Sequence, residues 1–150
     1  LMVKPVNEGS SIGMTKVKSV REFPEAYALA ANYDRAVIAE AFVEGVELTV
    51  AVLGDVPLPA IKLETPREFY DYEAKYSAQD TRYIIPSGLP HDAERIIQDE
   101  ALRAFGALDC SGWGRVDLML DHSGKPYFLE VNTSPGMTAH SLVPLAAPVR

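Results

Sequence analysis

The 150-residue sequence predicts an α+β fold in which helices pack against antiparallel sheets. Two runs, "RVDLML" and "YFLEVN", alternate polar with apolar side chains on either side of the turn signal "DHSGK", which predicts a β-hairpin with one buried face. The segment 91–108 instead places apolar residues at helical spacing. Strands and helices do not alternate regularly as β-α-β units, so a parallel sheet is not favoured.

The first half of the chain predicts one helix and five strands. Strands are expected at 1–4, 14–17, 36–41, 46–53 and 56–63, with a loop at 5–13 and the helix at 20–31. Ser19 and Glu22 have the spacing of a capping box at the start of this helix, although Pro24 interrupts its first turn.

In the second half, the charged and aromatic segment "REFYDYEAKYS" predicts a loop before a short strand near 81–85. The helix that follows at 91–108 is expected to bury Ile97, Ala101, Phe105 and Leu108. The hairpin and a short helix near 140–147 complete the predicted elements.

Composition narrows the function classes. With 47% hydrophobic and 9% aromatic residues the chain is globular, and its net charge of −7 argues against nucleic-acid or anionic-membrane surfaces as partners. The single cysteine, Cys110, excludes an intramolecular disulfide and is expected to be a small packed thiol. No apolar run has the length of a membrane span, which predicts a cytosolic protein with a small-molecule partner.

The hairpin carries the most informative polar residues. A turn at 122–125 would pair Asp121 with Pro126, and would therefore place Asp117 opposite Glu130 and Arg115 opposite Asn132 on one face. Opposed carboxylates repel unless a cation or a shared proton lies between them, and two carboxylates with an amide are hard oxygen ligands that suit Mg²⁺. The alternative is a solvated polar face on an edge hairpin.

Two further segments have the chemistry of a nucleotide site. Lys4 leaves a strand and precedes a loop rich in glycine and serine, which suits phosphate oxygens; the alternative is a surface turn. Glu40 and Glu47 bracket "AFVEG", a connection that can offer backbone groups to adenine and a carboxylate to ribose; here the alternative is two exposed glutamates beside a turn.

In this order, the segments "KPVNEGSSIGM", "YDYEAKY", "GWGRVDLML" and "LEVNTSPGMTAHSLVP" resemble the D-alanine:D-alanine ligases of the ATP-grasp superfamily. The resemblance implies two lobes with antiparallel sheets that hold ATP between them. Residues 1–50 would belong to the central lobe, with its start truncated, and 51–150 to the C-terminal lobe, with its end truncated. The N-terminal substrate domain would be absent, so we expect the isolated chain to be inactive.

The resemblance also assigns roles to individual positions. The ATP-binding residues would be Lys4, Glu40, Phe42, Val43, Glu47 and Lys75. Mg²⁺, or Mn²⁺ as an alternative ion, would be bound by Asp117, Glu130 and Asn132. The residues that act on substrate would be Arg115 and Gly136 at the reacting carbonyl, Ser10 and Tyr76 at a closing lid, and Ser141 and Leu142 at the carboxylate of the second D-alanine.

The implied activity is the ATP-dependent joining of two D-alanine molecules through an acyl phosphate, which supplies peptidoglycan precursor synthesis. The intact enzyme would be a cytoplasmic homodimer with D-alanine and ATP as its ligands and no nucleic acid or membrane partner. Two alternatives stay open. The first is that the chain serves only as a nucleotide-binding module, and the second is that it belongs to a relative that makes D-alanyl-D-lactate or D-alanyl-D-serine.

Overall fold

The computed structural model describes residues 1–65, 81–139 and 141–149, and these form antiparallel sheets with packed helices, as predicted. The chain divides into two compact units, one containing Leu1–Phe42 and the other containing Val43–Glu64 with the chain from Arg82 onward. The lobe boundary predicted between residues 50 and 51 falls inside one continuous strand, Gly45–Leu53. The assignment of the units to lobes of a larger enzyme remains a prediction.

The first unit contains a three-stranded antiparallel sheet of β1 (Met2–Pro5), β2 (Thr15–Lys16) and β3 (Val37–Glu40), in the order β2-β1-β3. Helix α1 (Phe23–Ala31) covers it. The core consists of four buried residues, Val3, Val17, Ala26 and Ala30. The two alanines lie one helical turn apart, so α1 presents a small-residue face to the sheet.

The predicted helix at 20–31 is divided into a 3-10 turn at Val20–Glu22 and then α1. Pro24 lies in the first turn of α1, where its missing N–H costs no helical hydrogen bond. The prediction of a reciprocal capping box was wrong. The Ser19 hydroxyl does not cap a backbone N–H and instead donates to the Glu22 carboxylate at 2.9 Å. The Lys18 backbone N–H donates to the same carboxylate at 2.9 Å. This backbone bond, followed by the Ser19 hydroxyl, lowers the pKa of Glu22.

The second unit contains a six-stranded antiparallel sheet. Its strands are β4 (Gly45–Leu53), β5 (Val56–Pro57), β6 (Ile61–Glu64), β7 (Arg82–Ile84), β8 (Trp113–Asp121) and β9 (Pro126–Asn132). The order is β7-β6-β4-β8-β9, and β5 pairs with β4. The predicted strand at 56–63 is therefore two short strands, because Pro57 and Pro59 cannot donate hydrogen bonds to a ladder.

Helix α2 (His91–Ala107) packs on this sheet, and the shorter helix α3 (Leu142–Ala146) lies near the predicted position of the last helix. Ile97, Ala101 and Phe105 of α2 are buried against sheet residues, as predicted. Leu108 was wrongly assigned to the core. It is 64% exposed, because α2 ends at Ala107 and the chain leaves the helical path there.

Cys110 packs against the edge of this core, in agreement with its prediction as a packed thiol. Among the helices that the structure describes, none combines the length and the apolar character needed to cross a bilayer.

Candidate functional site

The β8–β9 hairpin brings four predicted site residues together. In its ladder Asp117 lies opposite Glu130, and Arg115 lies opposite Asn132. The Asn132 amide nitrogen donates to Asp117 Oδ2 at 3.0 Å and to Glu130 Oε1 at 3.1 Å, so these three side chains share one face. The predicted juxtaposition of two carboxylates and an amide is confirmed.

The pairing near the turn differs from the prediction. Pro126 lies opposite Leu120 rather than Asp121. From there to the pair Leu118–Phe128, the ladder is displaced by one residue from the predicted register. An irregularity between Asp117 and Leu118 then restores the predicted register, with Leu129 as the additional residue on β9. Strict alternation from the turn would have carried Glu130 to the opposite face.

Arg115 contacts Asp117 through two hydrogen bonds. Its Nε donates to Oδ1 at 2.8 Å and its Nη2 donates to Oδ2 at 2.6 Å. Their side chains are 19% and 12% exposed, so the ion pair is partly shielded from water. The guanidinium pairs with Asp117, and the Asn132 amide nitrogen contacts both acids, so the repulsion between Asp117 and Glu130 is offset.

The donor set fits a hard divalent cation. Two carboxylates and an amide oxygen on one face are the ligands that Mg²⁺ prefers, and Glu130 is exposed to solvent. Asn132 directs its amide nitrogen at both acids, so coordination through its oxygen requires the amide to turn. Across the described ranges no three His, Cys, Asp or Glu side chains group as a metal site, and the two acids of the hairpin are joined instead by the Asn132 amide.

Sequence reasoning missed Thr49. This residue lies opposite Asp117 in the β4–β8 ladder, is 2% exposed, and its hydroxyl donates to Asp117 Oδ1 at 2.5 Å. A polar residue within the otherwise apolar run "LTVAVL" was the available signal. Glu47 lies two positions earlier on β4, and therefore on the same side of the strand.

In the first unit, the predicted phosphate ligand Lys4 and the predicted adenine-site residue Glu40 form an ion pair. Lys4 Nζ lies 2.5 Å from Glu40 Oε1, with the two side chains 20% and 40% exposed. Lys16 Nζ lies 3.7 Å from the ring centroid of Phe42, a cation-π contact that the sequence did not indicate. A phosphate at Lys4 would share this ammonium group with Glu40.

The loop after β1 has an unusual backbone. Ser10 and Ser11 have φ values of 55° and 61°, in the left-handed region that residues other than glycine seldom adopt. Gly13 has φ +69°, and a Cβ there would lie 2.7 Å from a ring carbon of Tyr33. Residues other than glycine in this region concentrate at ligand-binding loops, so the backbone of Ser10 and Ser11 agrees with a phosphate loop there. The role of Ser10 stays a prediction.

Asp34 holds the start of this loop. Its Oδ1 accepts the Ala36 N–H at 3.1 Å, and its Oδ2 accepts the backbone and side-chain N–H groups of Asn7, both at 2.7 Å. These bonds, led by the one from Ala36, lower the pKa of Asp34. The carboxylate therefore ties the loop to the residues that immediately precede β3.

The segment after β9 brings Gly136 close to Ser141. A Cβ on Gly136 would lie 2.9 Å from Ser141 Oγ, and that oxygen accepts the Thr138 N–H at 3.0 Å. Ser141 precedes α3, whose first residue, Leu142, is buried. The predicted lid residues Lys75 and Tyr76 lie outside the described residues.

A family model described as "D-ala D-ala ligase C-terminus" matches residues 1–149. The chain belongs to this family. The resemblance drawn from the four motifs is thus confirmed. D-alanine–D-alanine ligase of Alkalilimnicola ehrlichii is 58% identical over 147 residues, which are 98% of this chain and 47% of that protein. The chain spans about half the length of the curated relatives it matches.

Solved ligases have the same fold. The crystal structure of the VanG D-Ala:D-Ser ligase from Enterococcus faecalis has a TM-score of 0.86 and 38% identity, over 97% of this chain and 43% of that one. The D-alanine–D-alanine ligase from Bacillus anthracis has a TM-score of 0.84 and 35% identity, over 98% of this chain and 48% of that one. The predicted ATP-grasp fold class is confirmed by these matches.

Proposed function

We propose that this chain provides the ATP-binding and metal-binding half of a D-alanine:D-alanine ligase. The observation that carries the proposal is the face of the hairpin on which Asp117, Glu130 and Asn132 meet, within a chain that matches the ligase family over residues 1–149. The product, D-alanyl-D-alanine, would enter peptidoglycan precursor synthesis in the cytoplasm.

The reaction has two steps. An oxygen of the first D-alanine carboxylate attacks the γ-phosphorus of ATP, ADP leaves, and an acyl phosphate forms. The amine of the second D-alanine then attacks the carbonyl carbon, phosphate leaves, and the nitrogen loses a proton. Both steps increase negative charge at defined oxygens, so preorganised cations and N–H donors are the main requirement.

The hairpin supplies these groups in the second unit. Asp117, Glu130 and Asn132 would hold Mg²⁺, which offsets charge on the phosphoryl oxygens when it is bound. We propose that Arg115 then turns part of its guanidinium from Asp117 to the developing charge at the carbonyl. The bidentate Arg115–Asp117 contact supports this role, because it holds the guanidinium beside the acidic face.

The remaining nucleotide contacts follow the family resemblance. Lys4 would bind ATP phosphates, Glu40 and the backbone at Phe42 and Val43 would bind adenine, and Glu47 would bind ribose. Lys75 would add a phosphate contact from the lid, with Tyr76 and Ser10 ordering that lid.

The second substrate would lie near the segment after β9. Its carboxylate would meet Ser141 and the Leu142 amide, while the Gly136 amide would face the carbonyl oxygen. The proximity of Gly136 to Ser141 Oγ supports placing both on one substrate.

A ligase that accepts D-serine is the second candidate, and the 38% identity to a D-Ala:D-Ser ligase is the observation that favours it. The 58% identity to a D-alanine–D-alanine ligase supports D-alanine more strongly. Products formed from mixtures of D-alanine, D-serine and D-lactate, separated by mass spectrometry, distinguish these reactions.

The proposal also includes a homodimer for the intact enzyme. Sedimentation of the intact enzyme measures its oligomeric state.

A chimeric enzyme tests the activity. The 147 aligned residues of the Alkalilimnicola ehrlichii ligase are replaced by those of this chain, and phosphate and dipeptide are measured with ATP, Mg²⁺ and D-alanine. We expect equal amounts of both products, and loss of both in the Arg115→Met chimera. A folded chimera that binds ATP but forms no dipeptide would instead favour the nucleotide-binding module.

A further inference from the structure

Thr49 occupies an unusual position for a polar side chain. It lies in the middle of β4, at the centre of the sheet, and is 2% exposed. A buried hydroxyl requires a hydrogen-bond partner, and Thr49 has two acceptors within reach. The Val116 carbonyl oxygen is 3.4 Å away, whereas Asp117 Oδ1 is 2.5 Å away. The shorter distance assigns the hydroxyl proton to the carboxylate.

The two oxygens of Asp117 are directed at different neighbouring strands. Oδ1 accepts from Thr49 on β4, and Oδ2 accepts from Asn132 on β9, while Arg115 donates to both. Rotation of the carboxylate would break the Thr49 bond and the Asn132 bond together. Thr49 and Asn132 therefore hold the plane of the carboxylate with one oxygen towards β4 and the other towards the strand that carries Glu130.

We propose that Thr49 is a positioning residue for the divalent cation, acting through Asp117. This inference rests on the proposed metal site. With Oδ1 held by Thr49, Oδ2 is presented on the side of β8 where Glu130 and Asn132 lie. Hydrogen bonds that orient metal ligands affect metal affinity by about 10- to 100-fold when they are removed.

Thr49→Val and Thr49→Ser test the inference, with Mn²⁺ as the probe. Valine keeps the shape of threonine and removes the hydroxyl, whereas serine keeps the hydroxyl. Free Mn²⁺ is measured by electron paramagnetic resonance during titration of each purified chain. We expect Thr49→Val to weaken Mn²⁺ binding about 10-fold or more. Thr49→Ser should bind within about threefold of the wild-type affinity, because its hydroxyl can still donate to Asp117.

Circular dichroism and thermal unfolding without Mn²⁺ establish that each variant is folded. If Thr49→Val does not fold, Thr49→Ala removes the same hydroxyl and replaces it in the titration. Equal Mn²⁺ affinity in wild-type and folded hydroxyl-free variants overturns the role of Thr49 alone. Absence of Mn²⁺ binding by the wild-type chain overturns the proposed metal site, and the positioning role with it.

Discussion

Asp117 lies directly opposite Glu130 in the β8–β9 ladder, although the pairs nearer the turn are displaced by one residue. The extra residue, Leu129, absorbs the displacement and returns Glu130 and Asn132 to the face of Asp117. The bulge at Leu129 is therefore what places the carboxylates of Asp117 and Glu130 on the same face of the hairpin.

Glu130→Gln should weaken Mn²⁺ binding by the chain about 10-fold or more, because it removes one of two carboxylate charges while keeping the shape of the side chain. Its thermal unfolding midpoint should change little, since Glu130 is exposed. Mn²⁺ titration and thermal unfolding measure the two effects. Glu100→Gln on α2 removes an equal charge away from the hairpin, and an equal loss of Mn²⁺ binding in both variants would contradict the assignment.

Gly114→Ala should destabilise the chain by about 1–3 kcal/mol, as overpacked cores do. A Cβ at Gly114 would lie 2.5 Å from a ring carbon of Phe105 and 2.8 Å from the Asn132 carbonyl oxygen. Gly106→Ala is the matched control, because a Cβ there meets nothing within 4 Å. It should stabilise α2 by about 0.5–1 kcal/mol. Urea unfolding of both variants tests the opposite signs.

The hairpin turn should lose stability in acid through Asp121. Its Oδ1 accepts the Ser123 hydroxyl at 2.6 Å and the Lys125 N–H at 3.0 Å, and these bonds lower the pKa of the carboxyl group. A lowered folded-state pKa contributes stability above the unfolded pKa, which is about 3.9 for aspartate. That contribution is lost as the pH falls through the lowered folded value.

Asp121→Asn should remove this part of the pH dependence and leave the remaining acid sensitivity unchanged. Urea unfolding from neutral pH down to the pH at which the wild-type chain unfolds provides the comparison. Parallel pH profiles for both proteins would show that Asp121 does not contribute.

Glu94→Ala should destabilise the second unit by about 1–3 kcal/mol, because it leaves buried donors without an acceptor. Glu94 Oε1 accepts the N–H of buried Ala60 at 3.0 Å, and Oε2 accepts the hydroxyl of buried Ser87 at 2.7 Å. Glu94→Gln keeps one acceptor and should lose less. Urea unfolding measures both, with the exposed ion pair of Glu100 as control: Glu100→Ala should cost much less.

The hairpin and the core stripe of α2 could be predicted from the sequence because each depends on local periodicity. Alternation identified the polar face of β8, and helical spacing identified Ile97, Ala101 and Phe105. The same spacing failed at Leu108, where the end of the helix, rather than the period, determines exposure. The four motifs also identified the family, because they occur in one order between residues 4 and 144 of the chain.

The contacts that complete the acidic face were decided only by the tertiary structure. Thr49 and Asp117 are 68 residues apart in sequence, and the β4–β8 register brings them together. The position of the bulge likewise depends on how the turn and the two strands fit one another, which strict alternation cannot express. The chemistry of the side chains and the periodicity of apolar residues can be read from a short segment of sequence. The hydrogen-bond partner of each polar atom instead depends on the pairing of strands that are distant in sequence.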